Sequence, residues 1–249
     1  SLTTAQVAVL DSDQIDGLSA SQVGALSSAQ VIALGTDNVV SLSTDQVAAL
    51  SSRAVGALTA AQLTAMTSDQ IEALGSAQIA ALSSADLLAF SSEDINTFTT
   101  DEFAIISSAA IRGIAASVIS ELSTDLIAAM NTRAVAALSS AQVAAMTSDQ
   151  VAALSIGQLG ALTSVAVAAL EAEDVATFSS TELAALQSRS LAALSTANFA
   201  TLGSDQIVGL TSAQIAALST VLIGSLTSGQ IDGLTTGQVA TFSSAQLAA

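Results

Sequence analysis

The octapeptide Leu26-Ser27-Ser28-Ala29-Gln30-Val31-Ile32-Ala33 is followed at once, at Leu34, by a new start of the same pattern. We number the positions of such an octad from 0, at the leading Leu, to +7. Because (249 − 1)/8 = 31, the chain is one leading Ser followed by 31 octads without an insertion. Position 0 is apolar from Leu2 to Phe242, and it is Leu except at Met66, Phe90, Phe98, Ile106, Ile114, Met130, Met146, Phe178 and Phe242.

Positions +1 and +4 have the pattern of a helix start. Position +1 is Ser, Thr, Gly, Asp or Asn except at Ala115, Glu171 and Gln187, and these five residue types are the preferred helix N-caps. Position +4 is mostly Gln, and Ser or Thr followed three residues later by Gln or Glu is a capping box. Position +5 is Val, Ile, Leu or Phe, which can pack on position 0, and Ala prevails at +6 and +7. Each octad therefore predicts one helix of one to two turns.

The acidic residues support this prediction. Only four of the 21 acids, Asp16, Glu72, Glu121 and Asp232, lie outside positions +1 to +4, so 21 − 4 = 17 fall in a predicted first turn. The helix dipole favours negative charge there.

Two other architectures compete with an array of short helices. In one continuous helix the anchor would drift by roughly 80° per octad, so no apolar stripe would form. A β-solenoid can be built from short Ser/Thr/Val-rich repeats, but the apolar positions 0, +5 and +7 do not alternate with period two. We therefore predict an all-α solenoid of short helices, formed by residues 1–249 as one linear array, and we expect it to be a segment of a longer one.

Charges suggest how many octads make one coil. Arg53, Arg133 and Arg189 occupy position +3, and five of the six positions that lie two octads before or after them are acidic. Stacking of unlike charges on neighbouring coils would give this pattern, so it favours two octads per coil.

Three octads per coil is the alternative. Acids also recur at position +3 with a spacing of three octads, and a coil of that size would stack them into acidic ladders that could bind Ca²⁺. The residues of these candidate ladders are Asp45, Asp69 and Glu93, then Asp101, Asp125, Asp149 and Glu173.

Composition excludes several classes of function. The net charge is −17 with four cationic residues, all Arg, which disfavours nucleic acid and anionic membrane surfaces as partners, because both are bound through Lys and Arg. Ser or Thr returns in nearly every octad, so no run of about 18 apolar residues could insert into a membrane. There is no Cys for disulfides or thiolate metal sites.

No arrangement of residues predicts catalysis. The chain has no His, Lys or Cys, which removes the usual bases and the thiol nucleophile. The carboxylate pairs Glu93-Asp94, Asp101-Glu102 and Glu173-Asp174 fall in first helical turns, where capping and the dipole explain them. We expect neither an enzyme nor a resident cofactor.

The tandem pattern L-[ST]-x-x-Q-[IV]-x-A-L, which Leu26 to Leu34 spells, resembles repeat tracts of very long secreted or surface proteins of bacteria. The resemblance implies an extracellular or cell-surface spacer, stalk or filament component. We therefore expect a structural rod that associates with itself end to end or laterally. The alternative is an adhesin-type module that binds Ca²⁺, a surface or a glycan through acidic or Ser/Thr/Gln faces.

Overall fold

A computed structural model describes residues 2–249 of the chain. In this range the secondary structure consists of thirty α-helices and one 3₁₀ helix, without a strand. The predicted all-α array of short helices is therefore confirmed, and the continuous helix and the β-solenoid are excluded.

The helices fall into two compact units, one reaching Ala134 and the other running from Val135 to Ala249. We describe each unit by itself, and a single array over residues 1–249 stays a prediction. The helices of unit 1 are α1 Thr4–Val7, α2 Ser12–Asp16, α3 Ala20–Gly24, α4 Ser28–Ala33, α5 Gly35–Val40, α6 Thr44–Ala49, α7 Ser52–Val55, α8 Ala60–Ala65, α9 Ser68–Glu72, α10 Ser76–Ile79, α11 Ser84–Leu87, α12 Ser92–Asn96, α13 Thr100–Ala104, the 3₁₀ helix Ala110–Gly113, α14 Ala116–Ile119 and α15 Thr124–Ala129. Helix α16, Thr132–Ala137, contains the boundary, and unit 2 continues with α17 Ser140–Ala144, α18 Ser148–Ala152, α19 Ile156–Ala161, α20 Ser164–Val167, α21 Ala172–Thr177, α22 Ser180–Ala185, α23 Ser188–Leu191, α24 Thr196–Ala200, α25 Ser204–Gly209, α26 Ser212–Ala217, α27 Thr220–Gly224, α28 Ser228–Asp232, α29 Thr236–Val239 and α30 Ser244–Leu247.

The predicted capping boxes start most of these helices. At α6 the Ser43 hydroxyl oxygen accepts from the Gln46 backbone N–H at 3.2 Å. In return Gln46 Oε1 accepts from the Ser43 backbone N–H at 2.8 Å. The cap residue has an extended backbone, with φ −69° and ψ 160°, so the helix before it cannot continue and a new one begins.

Three octads make one coil. Within each unit the helices that pack against each other are three apart along the chain, for example α3 with α6, α5 with α8, and α22 with α25. The prediction of two octads per coil was therefore wrong. The charge pattern behind it involves exposed side chains, whose ion pairs contribute only about 0–1 kcal/mol, which is too little to set the coil.

The core is formed by positions 0 and +5. Every +5 side chain from Val7 to Ile223 is buried, and so is position 0 from Leu26 to Leu218. The larger anchors Phe90 and Phe98 fill the same core and meet edge to face, with ring centroids 6.2 Å apart. These residues therefore pack as core residues, as predicted for apolar anchors.

One glycine lies where two neighbouring coils approach each other closely. A Cβ atom at Gly113 would lie 1.8 Å from the carbonyl oxygen of Ser84, and that oxygen belongs to the backbone of α11, which packs on the 3₁₀ helix. Only a residue without a side chain fits there.

We expect Gly113→Ala to lower the free energy of unfolding by about 1–3 kcal/mol, because the backbones of the 3₁₀ helix and α11 must move apart to admit the new Cβ atom. Gly17→Ala is the matched control, since Gly17 has the same octad position and its Cβ would come no closer than 3.4 Å to another atom. Thermal unfolding followed by far-UV circular dichroism measures both, and equal midpoints for the two variants would contradict the close approach.

Candidate functional site: the glutamine bridge between coils

Where position +4 is Gln, its side chain connects a coil to the one before it. Gln46 uses its amide oxygen in the capping box of its own helix, and its Nε2 donates to two backbone carbonyls of the preceding coil. These are the carbonyls of Ile15, at 3.0 Å, and Leu18, at 2.7 Å. Gln46 is 3 % exposed, so both ends of its amide group are bonded away from water.

The bridge recurs with a constant register. Gln70 Nε2 donates to the carbonyls of Val39 at 2.9 Å, Val40 at 3.1 Å and Leu42 at 2.7 Å. Two of these acceptors recur at other Gln residues. One is the carbonyl of a +5 residue 31 positions before the Gln, as at Val39, and the other is the carbonyl of an anchor 28 positions before it, as at Leu42. The same register holds at Gln78 in unit 1 and at Gln206, Gln214, Gln230, Gln238 and Gln246 in unit 2. Gln62 keeps the +5 acceptor, Val31 at 2.9 Å, but its other bonds go to Ile32 and Gly35 and not to the anchor.

The bridge satisfies backbone groups at both ends of the short helices. The carbonyls that accept it lie at the end of a helix, where they have few intrahelical donors. One Gln therefore caps the start of its own helix and the end of a helix in the preceding coil. Glu could accept in the capping box equally well, but an ionised carboxylate has no donor for the carbonyls.

Sequence reasoning assigned Gln only to the capping box and missed its second role. The signal was present in the preference for Gln over Glu, because a capping box accepts both. The strong excess of Gln at position +4 indicates a second partner that needs an N–H donor.

Where Gln is absent from position +4, three shorter side chains donate to an anchor carbonyl in the same register. Asn38 Nδ2 donates to the carbonyl of Leu10 at 2.8 Å, and Asn198 Nδ2 to that of Leu170 at 2.7 Å. Even the hydroxyl of Ser190 reaches the carbonyl of Leu162, at 3.0 Å. The acceptor position is thus retained while the donor varies.

Asn residues at other positions compensate for apolar residues at +4. The Leu126 side chain cannot accept from the N-cap backbone of α15, and Asn96 of the preceding coil supplies that acceptor instead. Its Oδ1 accepts from the Ser123 backbone N–H at 2.9 Å and its Nδ2 donates to the Glu121 carbonyl at 3.0 Å. Asn131, at an N-cap, likewise donates to the Ala104 and Ile106 carbonyls while it accepts from the backbone N–H of Ala134.

Acids at position +4 keep the capping box without supplying an amide donor. Asp86, Asp94 and Glu102 occupy three successive octads, and each carboxylate accepts from the backbone N–H of its N-cap. Asp94 additionally accepts from the hydroxyl of Ser68 in the preceding coil at 2.9 Å. In unit 2, Asp174 accepts from Ser148 in the same way at 2.8 Å.

The candidate Ca²⁺ ladders lie on the outside of the coils. All seven carboxylates are exposed. A coil of three octads places successive members of a ladder on helices that contact each other. Asp45, Asp69 and Glu93 lie on α6, α9 and α12, and α9 contacts both of its neighbours. Asp149 and Glu173 lie on α18 and α21, which also contact each other. Within residues 2–249, however, no three acidic, His or Cys side chains are grouped closely enough to hold a metal ion. Ca²⁺ binding stays a prediction.

No helix among the described residues has the length and apolar character needed to cross a bilayer. A family model described as the ALTTAQ repeat matches residues 1–28, 22–52, 48–84, 119–156 and 183–220. The matched segments together cover more than half of the chain. A comparison with curated proteins finds no match.

We expect Gln70→Glu to lower the free energy of unfolding by about 1–3 kcal/mol, because each of three carbonyls loses the Gln donor while the capping box is kept. The reverse change, Glu102→Gln, should raise it by about 0.5–1.5 kcal/mol, because it supplies a donor in the same register.

Gln6→Glu is the control for both variants, since Gln6 has the capping box but the described residues include no coil before it. Its unfolding midpoint should stay near that of the parent chain. Urea or thermal unfolding measures all three variants, and equal effects at Gln6 and Gln70 would contradict the bridge.

Proposed function

This chain belongs to the ALTTAQ repeat family, and from that membership and the bonding between its coils we propose that it is a structural repeat protein that serves as a rigid rod or as part of an extracellular stalk or filament. The observation that carries the proposal is the glutamine bridge. Within each unit it fixes the position of a coil on its neighbour through buried hydrogen bonds, and linear arrays of this kind gain their stiffness from such nearest-neighbour contacts.

We propose no enzymatic activity for it. The Ser and Thr hydroxyls at position +1 serve mainly as helix caps, as Ser43 and Thr211 illustrate, and the sequence offers no His, Lys or Cys. The proposed location is the cell surface or the extracellular space, because the repeat style resembles repeat tracts of large secreted and surface proteins of bacteria. The net charge of −17 suits a soluble surface component that repels nucleic acid.

Small-angle X-ray scattering of the monomeric chain tests the rod. A globular domain of this length has a radius of gyration of about 18 Å, so a rod should give a clearly larger value and a scattering curve with the linear cross-section region of an elongated particle. A radius near that of a globular domain would contradict the proposal.

A second function, Ca²⁺ binding by an adhesin-type module, is favoured by the arrangement of the acidic ladders. A coil of three octads brings carboxylates of the same octad position, such as Asp45, Asp69 and Glu93, onto contacting helices. A cation between neighbouring carboxylates would relieve their repulsion. Most Gln side chains at position +4 are buried, so the exposed Ser and Thr side chains of the octads would be the corresponding surface for a glycan or another surface ligand.

Isothermal titration calorimetry with CaCl₂ tests this alternative. We expect a binding heat that Asp69→Asn reduces, because Asp69 has an acidic neighbour on the coil before and after it. Asp205→Asn is the control, since Asp205 has the same octad position but no acid three octads before or after it. A titration of the parent chain without heat would exclude the Ca²⁺ function.

A further inference from the structure

One junction inside unit 1 has acids where other junctions have the glutamine bridge. The coil of residues 82–105 carries Asp86, Asp94 and Glu102 at position +4. The helices that bear these acids, α11, α12 and α13, pack on α8, α9 and α10 of the preceding coil. An acid at this position brings an acceptor to carbonyls that a Gln would supply with a donor.

Asp86 is nearly buried and uses only one of its two carboxylate oxygens. The residue is 6 % exposed. Its Oδ2 accepts from the backbone N–H of Ser83 at 2.7 Å, as the amide oxygen of Gln does in the other capping boxes. Within residues 2–249 no hydrogen-bond donor reaches its Oδ1. A polar atom of so buried a side chain ordinarily has a partner.

The carbonyl of Leu58 is the second acceptor without a donor. It lies 28 positions before Asp86, the register in which the Leu50 carbonyl accepts from Gln78 Nε2 at 2.7 Å. In the described part of the chain no donor bonds to the Leu58 carbonyl. The junction thus has two acceptors in the register of the bridge, and it lacks the hydrogen that would join them.

Asn198 shows that a side chain with the length of Asp spans this distance. It occupies the same octad position as Asp86, and the two side chains have the same shape. Its Oδ1 accepts from the hydroxyl of its N-cap Ser195 at 2.9 Å, and its Nδ2 donates to the carbonyl of Leu170, 28 positions before it, at 2.7 Å. A protonated Asp86 would present an O–H where Asn198 presents its N–H.

Glu102 repeats this arrangement with the length of Gln. Its Oε2 accepts from the backbone N–H and the hydroxyl of Thr99, at 3.0 Å and 2.8 Å. Among the described residues neither its Oε1 nor the carbonyl of Leu74, 28 positions before it, has a donor. Asp94 differs, because the hydroxyl of Ser68 already donates to its Oδ1 and the backbone of its N-cap to its Oδ2.

We propose that Asp86 and Glu102 form a proton-dependent bridge, in which the O–H of each protonated carboxyl donates to the carbonyl of Leu58 or Leu74 and closes the junction. The inference rests on the proposed structural function and adds a response to acid. The closed junction gains these bonds only with the protons bound, so it takes up protons more readily than the open one. A fall in pH towards about 4, where carboxyls protonate, therefore favours the closed state.

The charges that face the two acids are few. Helices α8 and α10 of the preceding coil carry no titratable side chain. From the following coil, Arg112 lies on the 3₁₀ helix that packs on α11, and Asp125 on α15, which packs on α13. Protonation removes an attraction between Asp86 and Arg112 and a repulsion between Glu102 and Asp125. It also removes repulsion from the other acids of the same coil, which are Glu93, Asp94 and Asp101.

Native-state hydrogen exchange of the full chain, read by mass spectrometry on peptides that cover α11 and α13, tests the proposal. Asp86→Asn and Glu102→Gln supply the donor at every pH. At pH 7 each should lower the opening constant of the junction about 3-fold to 10-fold, since one hydrogen bond is added.

Asp94→Asn is the matched control. It removes one negative charge from the same octad position of the same coil, but both oxygens of Asp94 already have donors. It should therefore not lower the opening constant at pH 7.

The proton itself is tested by repeating the comparison at pH 4, with each variant set against the parent chain at the same pH. There the carboxyls of the parent chain carry the donor, so the advantage of Asp86→Asn and Glu102→Gln should disappear.

Three results would overturn the proton-dependent bridge. The two variants could open as often as the parent chain at pH 7, or they could keep their full advantage at pH 4. Protection of the parent junction by CaCl₂ at pH 7 that Asp86→Asn abolishes would instead assign a cation to the gap between the two acceptors. None of these results would affect the rod, because the rod is judged by the scattering of the parent chain at neutral pH.

Discussion

The structure depends on a side chain with a donor and an acceptor at the same end. Helices of four to six residues leave most of their backbone N–H and carbonyl groups without intrahelical partners, and isolated helices so short do not form in water. The Gln amide solves both problems at once, since its oxygen serves the start of one helix and its nitrogen serves the end of another. The bridge therefore joins helices that lie three octads apart, and this spacing is the size of the coil.

The apolar positions follow from this arrangement. The bridge holds the +5 side chain of one coil beneath the next, where it is buried with the anchors at position 0. Substitutions of the anchors by Phe or Met change the filling of the core and leave the register intact. Where +4 is apolar, another side chain takes over hydrogen bonds of the missing Gln, as Asn96 and Asn131 do. The reason is that an unpaired buried backbone group costs more free energy than an imperfect apolar contact.

Much of the fold could be predicted from the sequence because its signals are local. The caps, the staple positions and the acids of the first turn all act within one octad, and Ser43 and Gln46 form the box that their spacing predicts. The coil size could not be predicted in the same way. It depends on a contact between residues far apart in the chain, Gln46 and the carbonyl of Leu18, and a backbone acceptor leaves no trace in the sequence. Two long-range charge patterns were visible, unlike charges two octads from Arg53 and acids that recur every three octads. Exposed charges contribute too little energy to decide between the two coil sizes.

The stretch from Asp86 to Ala134 has no Gln at position +4, and this has a consequence for how the chain comes apart. In a linear array each coil is held only by its neighbours, so opening begins where the contact between two coils is weakest. The coil of Asp86, Asp94 and Glu102 meets the preceding coil without an amide donor at any of its three +4 positions. We therefore expect this junction of unit 1 to open in denaturant before the junctions that carry the bridge.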